Sequence, residues 1–348
     1  MRPLIDTTVP DLPAPPADLL DAARKSPATP ERHSEFLRDV EALHLIEARA
    51  PRVPQPWPGR LRIAAFNAQR LEAPEATLGL LDRAGAHAAL LSEVDLGMAR
   101  SGNRHPVREM SDPSGIGYLY GVEFVELDLG NAEEMRDYAG EHNRQGFHGN
   151  ALVTRLALAD PHIVPLEESG FWFPGYEGSE RRIGGRMAVV ARVADAPRPL
   201  WLASLHLESK TDPEDRRAQV QALLWAVEQL GPDDAWILGG DLNTKALSYD
   251  PAEAEHLLDD PGRHEPLFRD LADAGFAWAG ANLPLPTQRT GRHGRPQPPF
   301  GKLDWFVVRG MKVAAPEVLP ALDLEGQPIS DHEMIAAEFF FEDSLEQP

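Results

Sequence analysis

The sequence contains no cysteine. That excludes disulfides, a thiolate nucleophile, and any zinc or iron–sulfur centre held by thiolates. Lysine is scarce, 5 residues against 29 arginines. Cations that reach a site are therefore mostly forked guanidinium groups, suited to carboxylate or phosphate, although genome base composition accounts for most of that bias. Positive charge is short overall: Lys plus Arg is 34, Asp plus Glu is 55, and the net charge is −21. Proteins that follow a polyphosphate backbone by general attraction carry the opposite balance. Only a local basic groove or bound cations would restore such binding. No apolar run approaches the length needed to span a bilayer. The start, MRPLIDTTVPDLPAPPADLL, lacks the basic region and apolar stretch of a signal peptide. Together these absences predict a cytoplasmic protein. No repeat of fixed period is visible.

What is present is an ordinary globular composition. The chain has 348 residues, 42% hydrophobic and 26% charged, enough for a large core and too apolar for global disorder. Eleven of the 33 prolines fall in the first 60 residues. Residues 1–59 read as a lead-in: an extended arm over 1–16, one short helix over 34–48 after a Ser34 cap, then PRVPQPWPG as a helix stop. Residues 60–348 read as the main domain. Its expected strands are 61–67, 87–93, 122–127, 149–155, 186–193, 200–207, 235–243, 302–308 and 334–341. Its expected helices are 74–85, 213–230 and 267–275. RTGRHGRPQPPFG at 289–301 reads as a loop. Strands outnumber helices, which predicts two mixed sheets packed together with helices outside.

Polar residues recur just after apolar runs: Asn67 after RIAAF, Glu93 after ALLS, His206 after WLASL, Asp241 and Asn243 after ILGG. Asp304 sits in KLDWF, and Asp331 and His332 in ISDHEM. Each residue alone is ordinarily a cap or turn former. Together they supply oxygen ligands for a hard cation and two histidines for proton transfer near neutral pH.

FNAQR, LLSEVD, GNALVTR, RMAVVARV, LHLES, GGDLNT, LDWFVV and SDHEMI follow one another over roughly residues 60–341. In this order they resemble the endonuclease/exonuclease/phosphatase superfamily of DNase I-like phosphoesterases. The resemblance implies a four-layer α/β/β/α sandwich and hydrolysis of a phosphoester with Mg²⁺ or Mn²⁺. It implies Glu93 as the principal metal carboxylate, with Asn67 and Asp331 close by. Asp241 and Asn243 would face the scissile phosphate. His332 would act as the base, oriented by Asp304, and His206 would stabilise phosphoryl charge or assist the leaving group. Arg186 matches a phosphate-facing arginine, with Arg181 and Arg182 as alternatives. Asn150 matches a site-proximal position, and His148 reads as structural.

Two polar loops, 95–110 and 140–149, are expected at the mouth, where Arg100, Asn103, Arg104, Asn143 and Arg144 would read a substrate. GFWFPGY at 170–176 is expected as an exposed loop able to stack on a ligand, whereas Trp305 is expected in the core. The acidic balance favours a small-molecule or lipid-derived phosphoester over nucleic acid. A nuclease of the same fold, with nucleic acid as its partner, and a catalytically silent binding module are the alternatives. No protein partner is inferable from the sequence.

Overall fold

A computed structural model describes residues 2–167, 169–247, 256–289 and 301–342. The loop expected at 289–301 lies outside the described residues except at its two ends. The chain runs through β1 (Thr8–Val9), α1 (Ala17–Lys25), α2 (Pro30–Asp39), β2 (Ile46–Arg49), β3 (Leu61–Arg70) and α3 (Pro74–Arg83). It continues through β4 (Ala88–Leu96), α4 (Pro106–Ser114), β5 (Gly117–Glu126), α5 (Ala132–Asp137), β6 (Phe147–Thr154), β7 (Leu158–Pro165) and β8 (Arg182–Gly184). Then follow β9 (Met187–Val193), β10 (Leu200–His206), α6 (Pro213–Leu230), β11 (Ala235–Asp241), α7 (Leu267–Asp273), β12 (Asp304–Arg309), β13 (Lys312–Leu319) and β14 (Met334–Phe340).

These strands form two mixed sheets. One is nine-stranded, in the order β1-β2-β5-β6-β4-β3-β14-β13 with β8 paired to β5. The other is five-stranded, in the order β12-β11-β10-β9-β7. Side chains alternate across a strand, and that alternation divides the core into three. Leu61, Ile63 and Ala65 of β3 meet Leu202 of β10 and Ile237 of β11 between the sheets. Ala64 and Phe66 face outward, onto Phe36 of α2, Leu80 of α3 and Met110 of α4. On the far side, Ala203, Trp236 and Trp305 receive Val220 and Leu223 of α6 and Phe268 of α7. The result is the four-layer α/β/β/α sandwich, with Trp305 in the core. Among the described residues, no helix is long and apolar enough to cross a membrane.

The lead-in departs from its sequence reading. The helix starts earlier, because Thr29 caps it by accepting from the Arg32 amide, with Pro30 in the first turn. It stops at Asp39. Of the apolar residues after it, Leu43 lies in a 3₁₀ turn, Leu45 in the extended link that follows, and Ile46 in β2, where pairing with β5 overrides helical phase. The arm also pairs: Thr8 and Val9 with β2, and Ile5 with Ile163 of the other sheet. Two helices occur here where one was expected, and β7 and β13 were not anticipated. The 95–110 segment is only partly loop, since Pro106 opens α4.

Residues from the lead-in are buried in the common core, among them Ala23, Phe36, Leu37, Val40 and Leu43. Phe36→Ala should therefore cost about 3–5 kcal/mol of unfolding free energy, measured by urea denaturation. A loss below about 1 kcal/mol would mean that the lead-in docks loosely on a body that is stable without it.

Candidate active site

Strand alternation places the polar residues as well as the core. On β10, residues 200, 202 and 204 point between the sheets, and His206 continues that series. On β11 the series 235, 237, 239 ends in Asp241. On β12, Asp304 leads the series 306, 308. Asn67 continues 61, 63, 65 on β3. All four therefore emerge at one end of the inter-sheet layer. Glycine makes this end sharp. Gly240 has φ +142°, and a Cβ there would lie 2.0 Å from the Leu205 carbonyl oxygen, so only glycine lets β11 close on β10 just before Asp241.

Glu93 arrives by a different device. The β3–β4 register shifts between Asn67 and Arg70, and Glu93 itself is left-handed, with φ 52°. This places its carboxylate beside Asn67. The Asn67 Nδ2 donates to both Glu93 Oε1 and Asp241 Oδ2, each at 3.1 Å. One amide thus ties a carboxylate from each sheet. Ser330 joins the third segment: its hydroxyl donates to the Asn67 carbonyl (2.7 Å) and accepts from the His332 amide (3.0 Å).

Two histidines flank Asp241. His332 Nδ1 lies 2.8 Å from Asp304 Oδ2, and its Nε2 lies 3.8 Å from Asp241 Oδ2. Burial disfavours a charged imidazole here, but Asp304 and Asp241 outweigh it and raise its pKa well above the ordinary value. His206 Nδ1 lies 2.9 Å from the Arg186 guanidinium. A guanidinium only donates, so Nδ1 carries a lone pair and the ring proton sits on Nε2. That nitrogen faces Asp241 Oδ2 at 3.7 Å and Glu93 Oε1 at 4.0 Å.

The carboxylates differ in how well they are compensated. Burial opposes ionisation of Glu93, yet Arg70, His206 and His148 hold its pKa far below the usual carboxylate range. Asp241 is raised, because burial and neighbouring Asp304 outweigh His332 and His206. Burial likewise raises Asp331, with Glu93 adding to it against His332. Asp304 Oδ1 is buried without a partner among the described residues. Among the described residues the cleft thus holds more negative charge than its cations balance. Its donors are hard oxygens, and among the described residues no three His, Asp or Glu form a closed metal cage. An open set of one or two carboxylates suits Mg²⁺ or Mn²⁺, which are small oxygen-seeking cations, with Mg²⁺ in particular keeping several waters.

Several expected contacts are redirected. Arg186 does not face open space. It is buried, with Nε on Glu208 (2.9 Å) and Nη1 on Glu123 (3.1 Å), and it reaches the cleft only through His206. Arg181 binds lead-in carbonyls such as Ser26 O (3.0 Å), and Arg182 pairs with Glu126 (3.1 Å). Arg100 is buried against Asp95 in a two-bond fork, both bonds 2.9 Å, and also touches Glu126 and Glu134. Asn143 accepts from the Ala99 amide and donates to Asp128 O. Asn103 donates to His142 O and accepts from the Arg144 amide. These side chains knit the two loops together, and Arg104 pairs with Glu109. Asn150 lies between the sheets and donates to Met187 O (3.0 Å). Asn243 donates to Leu207 O (2.9 Å), and its amide N–H bonds Asp241 (2.8 Å). It shapes the Asp241 turn. His148 is structural, bonded to Asp95 at 2.8 Å.

GFWFPGY is exposed only in its second half, at Gly175 and Tyr176. Trp172 and Phe173 are buried, and Trp172 Nε1 donates to Glu208 (2.8 Å), the partner of Arg186. Sequence reasoning missed Arg70, Glu123, Ser330 and Glu208. Arg70, Ser330 and Glu208 lay inside quoted motifs, FNAQR, SDHEMI and LHLES. Glu123 lay in a strand whose alternation offered no sign of its partners.

The model of the Endonuclease/Exonuclease/phosphatase family matches residues 64–332. Solved structures with the same architecture include an endonuclease/exonuclease/phosphatase from Beutenbergia cavernae DSM 12333, at 18% identity and TM-score 0.57, covering 82% of this chain and 76% of that one. The human Nocturnin catalytic domain matches at 16% identity and TM-score 0.53, covering 84% and 99%. A mannosyl-6-phosphatase from Bacteroides thetaiotaomicron VPI-5482 matches at 12% and 0.52, covering 81% and 100%. At these identities the likeness is one of fold. No curated protein matches the sequence.

The raised His332 pKa has a signed consequence for stability. In the unfolded chain histidine titrates near about 6.5. Stabilisation from a charged His332 is therefore complete below that value and is lost as pH climbs through the higher folded value. In EDTA, the stability difference between wild type and His332→Gln should be greatest at acid pH and shrink upward from about pH 6.5. A difference flat across pH would mean that His332 is neutral in the resting protein.

Proposed function

The chain belongs to the endonuclease/exonuclease/phosphatase family, and from that premise we propose that it is a divalent-metal-dependent phosphoester hydrolase. The observation that carries the reading is the opposed pair of imidazoles about Asp241. His332 is backed by a carboxylate and His206 by a guanidinium, so one suits accepting a proton and the other donating a hydrogen bond. Glu93 and Asp331 would hold the ion, with Asn67 beside them. When bound, Mg²⁺ or Mn²⁺ would supply positive charge against the phosphate oxygens, acidify a water, and lower the proton affinity of His332.

The protein's own groups then divide the work. Asp304 fixes the His332 ring so that Nε2 faces the cleft. Nε2 takes a proton from the attacking water as its oxygen bonds to phosphorus. Asp241, held by Asn67 and the Asn243 amide, orients that water. The bond from phosphorus to the leaving oxygen breaks on the opposite side. His206, kept in its Nε2–H form by Arg186, donates a hydrogen bond to the leaving oxygen as charge builds on it, and that oxygen takes its proton from solvent. Release of the gained proton to solvent restores His332.

Surface charge favours a small or lipid-derived phosphoester. The net charge is −21, and among the described residues Arg70, Arg100, Arg182 and Arg186 around the cleft are each paired with carboxylates.

The test is hydrolysis of bis-p-nitrophenyl phosphate and p-nitrophenyl phosphate with Mg²⁺ or Mn²⁺, against an EDTA control. Asp241→Asn and His332→Gln should each lower kcat by about 10²–10⁴, with folding checked by circular dichroism. Turnover that survives EDTA or both substitutions would overturn the mechanism. Cleavage of a DNA oligonucleotide with steep salt dependence would move the reading to a nuclease. No turnover together with no divalent binding by calorimetry would leave a binding protein that kept the fold.

A further inference from the structure

Arg70 is the cation nearest the candidate metal carboxylate, and the backbone is bent to put it there. Gln69, Arg70 and Leu71 are three consecutive left-handed residues, with φ of 43°, 74° and 53°. Non-glycine residues rarely adopt this conformation, and such strain persists where the surrounding structure enforces it. The bulge that follows Asn67 turns the Arg70 side chain back toward β4. Its Nη1 donates to Glu93 Oε2 at 2.9 Å. Asn67 already occupies Oε1, so both oxygens of Glu93 are engaged.

The guanidinium has a second anchor. Its Nε and Nη2 lie 3.3 and 3.2 Å from Glu134 Oε1. Glu134 is itself fixed. Its Oε2 accepts from the Asn131 amide (2.7 Å), closing the capping box of α5, and it meets Arg100 at 3.3 Å. Arg70 therefore bridges an immovable carboxylate and the one that faces the cleft. A divalent cation seated on Glu93 would stand against a guanidinium in a part-buried site, where like charges repel strongly.

We propose that Arg70 is the built-in counter-ion of Glu93 and sets how tightly the site takes a divalent cation. The inference rests on the hydrolase reading for its metal. Without the ion, Arg70 neutralises Glu93 and keeps the cleft folded. On metal binding it yields Glu93 and stays on Glu134. Arg70 is thus a positioning residue whose effect reaches substrate only through Glu93.

The experiment is calorimetric titration of the full EDTA-stripped chain with Mn²⁺, alongside thermal unfolding with EDTA and with Mn²⁺. Arg70→Gln should bind Mn²⁺ about tenfold more tightly and melt lower than wild type in EDTA, recovering on Mn²⁺ addition. Arg70→Lys, which keeps the charge, should stay near wild type. Glu134→Gln keeps the helix cap but leaves Arg70 to Glu93 alone, so it should bind several-fold more weakly. Opposite shifts at Arg70 and Glu134 are not expected of a merely structural cluster. Unchanged or weaker binding in a folded Arg70→Gln variant would overturn the proposal while leaving the hydrolase reading in place. No Mn²⁺ uptake by either wild type or Arg70→Gln would remove both.

Discussion

Carboxylates from both sheets, Glu93, Glu123, Asp241, Asp304 and Asp331, are gathered where water is largely excluded, and the site is organised around making that tolerable. A buried charge without compensation costs several kcal/mol. Each carboxylate here meets a different answer. Glu93 has Arg70, Glu123 has Arg186, and Asp304 has His332. Asp241 has, among the described residues, the shared Asn67 amide, the Asn243 amide and two imidazoles at longer range. The groups left short of positive charge are those that face the opening. The cleft therefore presents a negative potential at its opening, and that potential draws in a cation.

Holding that arrangement still requires support from far away in sequence. His33 on α2 accepts from the Gly184 amide at 3.1 Å, and burial pushes its pKa down to about 4, which keeps it neutral for that task. Phe173 packs on His33 and Phe36, with Arg181 over its ring. Its neighbour Trp172 fixes Glu208, Glu208 fixes Arg186, and Arg186 fixes the tautomer of His206. An apolar contact on the outer face thus ends in the protonation state of a cleft residue. The lead-in helices stand at the start of that chain of contacts.

The parts legible in the sequence were those set by alternation and local order. Asn67, His206, Asp241 and Asp304 stood out because apolar runs carried them, and period two then fixed their face. The 213–230 helix was legible end to end, since a capped, proline-led start and a long amphipathic stretch agree. The N-terminal helix was misread because Leu43, Leu45 and Ile46 fit helical spacing and strand pairing equally well, and only β5 decides between them. Arg100, Asn103 and Asn143 looked like ligand readers because loop polarity says nothing about partners. Asp95, the partner of Arg100, lies five residues away in the same segment, while His142 O and Ala99 N lie across the two loops from Asn103 and Asn143. Arg186 is near the site but turned from substrate, since Glu123 on β5 and Glu208 just past β10 claim it. Trp172 and Phe173 look exposed in the sequence because FWFPGY resembles a turn; the lead-in residues His33 and Phe36 that cover Phe173, and the Glu208 that holds Trp172, share no pattern with it.

The extended arm bears on the order in which the molecule assembles. Ile5 bridges Ile163 of one sheet, while Thr8 and Val9 pair with β2 of the other. The arm is thus a clasp across the two sheets. During synthesis it leaves the ribosome ahead of both β5 and β7, whose placement it needs, so it must wait unpaired while about half of the chain is made. Prolines at positions 10, 13, 15 and 16 suit that wait. They lack the amide hydrogens that a stray strand would use, and they hold the segment extended without inviting it to pair elsewhere. A stretch that looks like mere linker composition is in this light a device against premature association: the clasp is made early, kept inert, and fastened late.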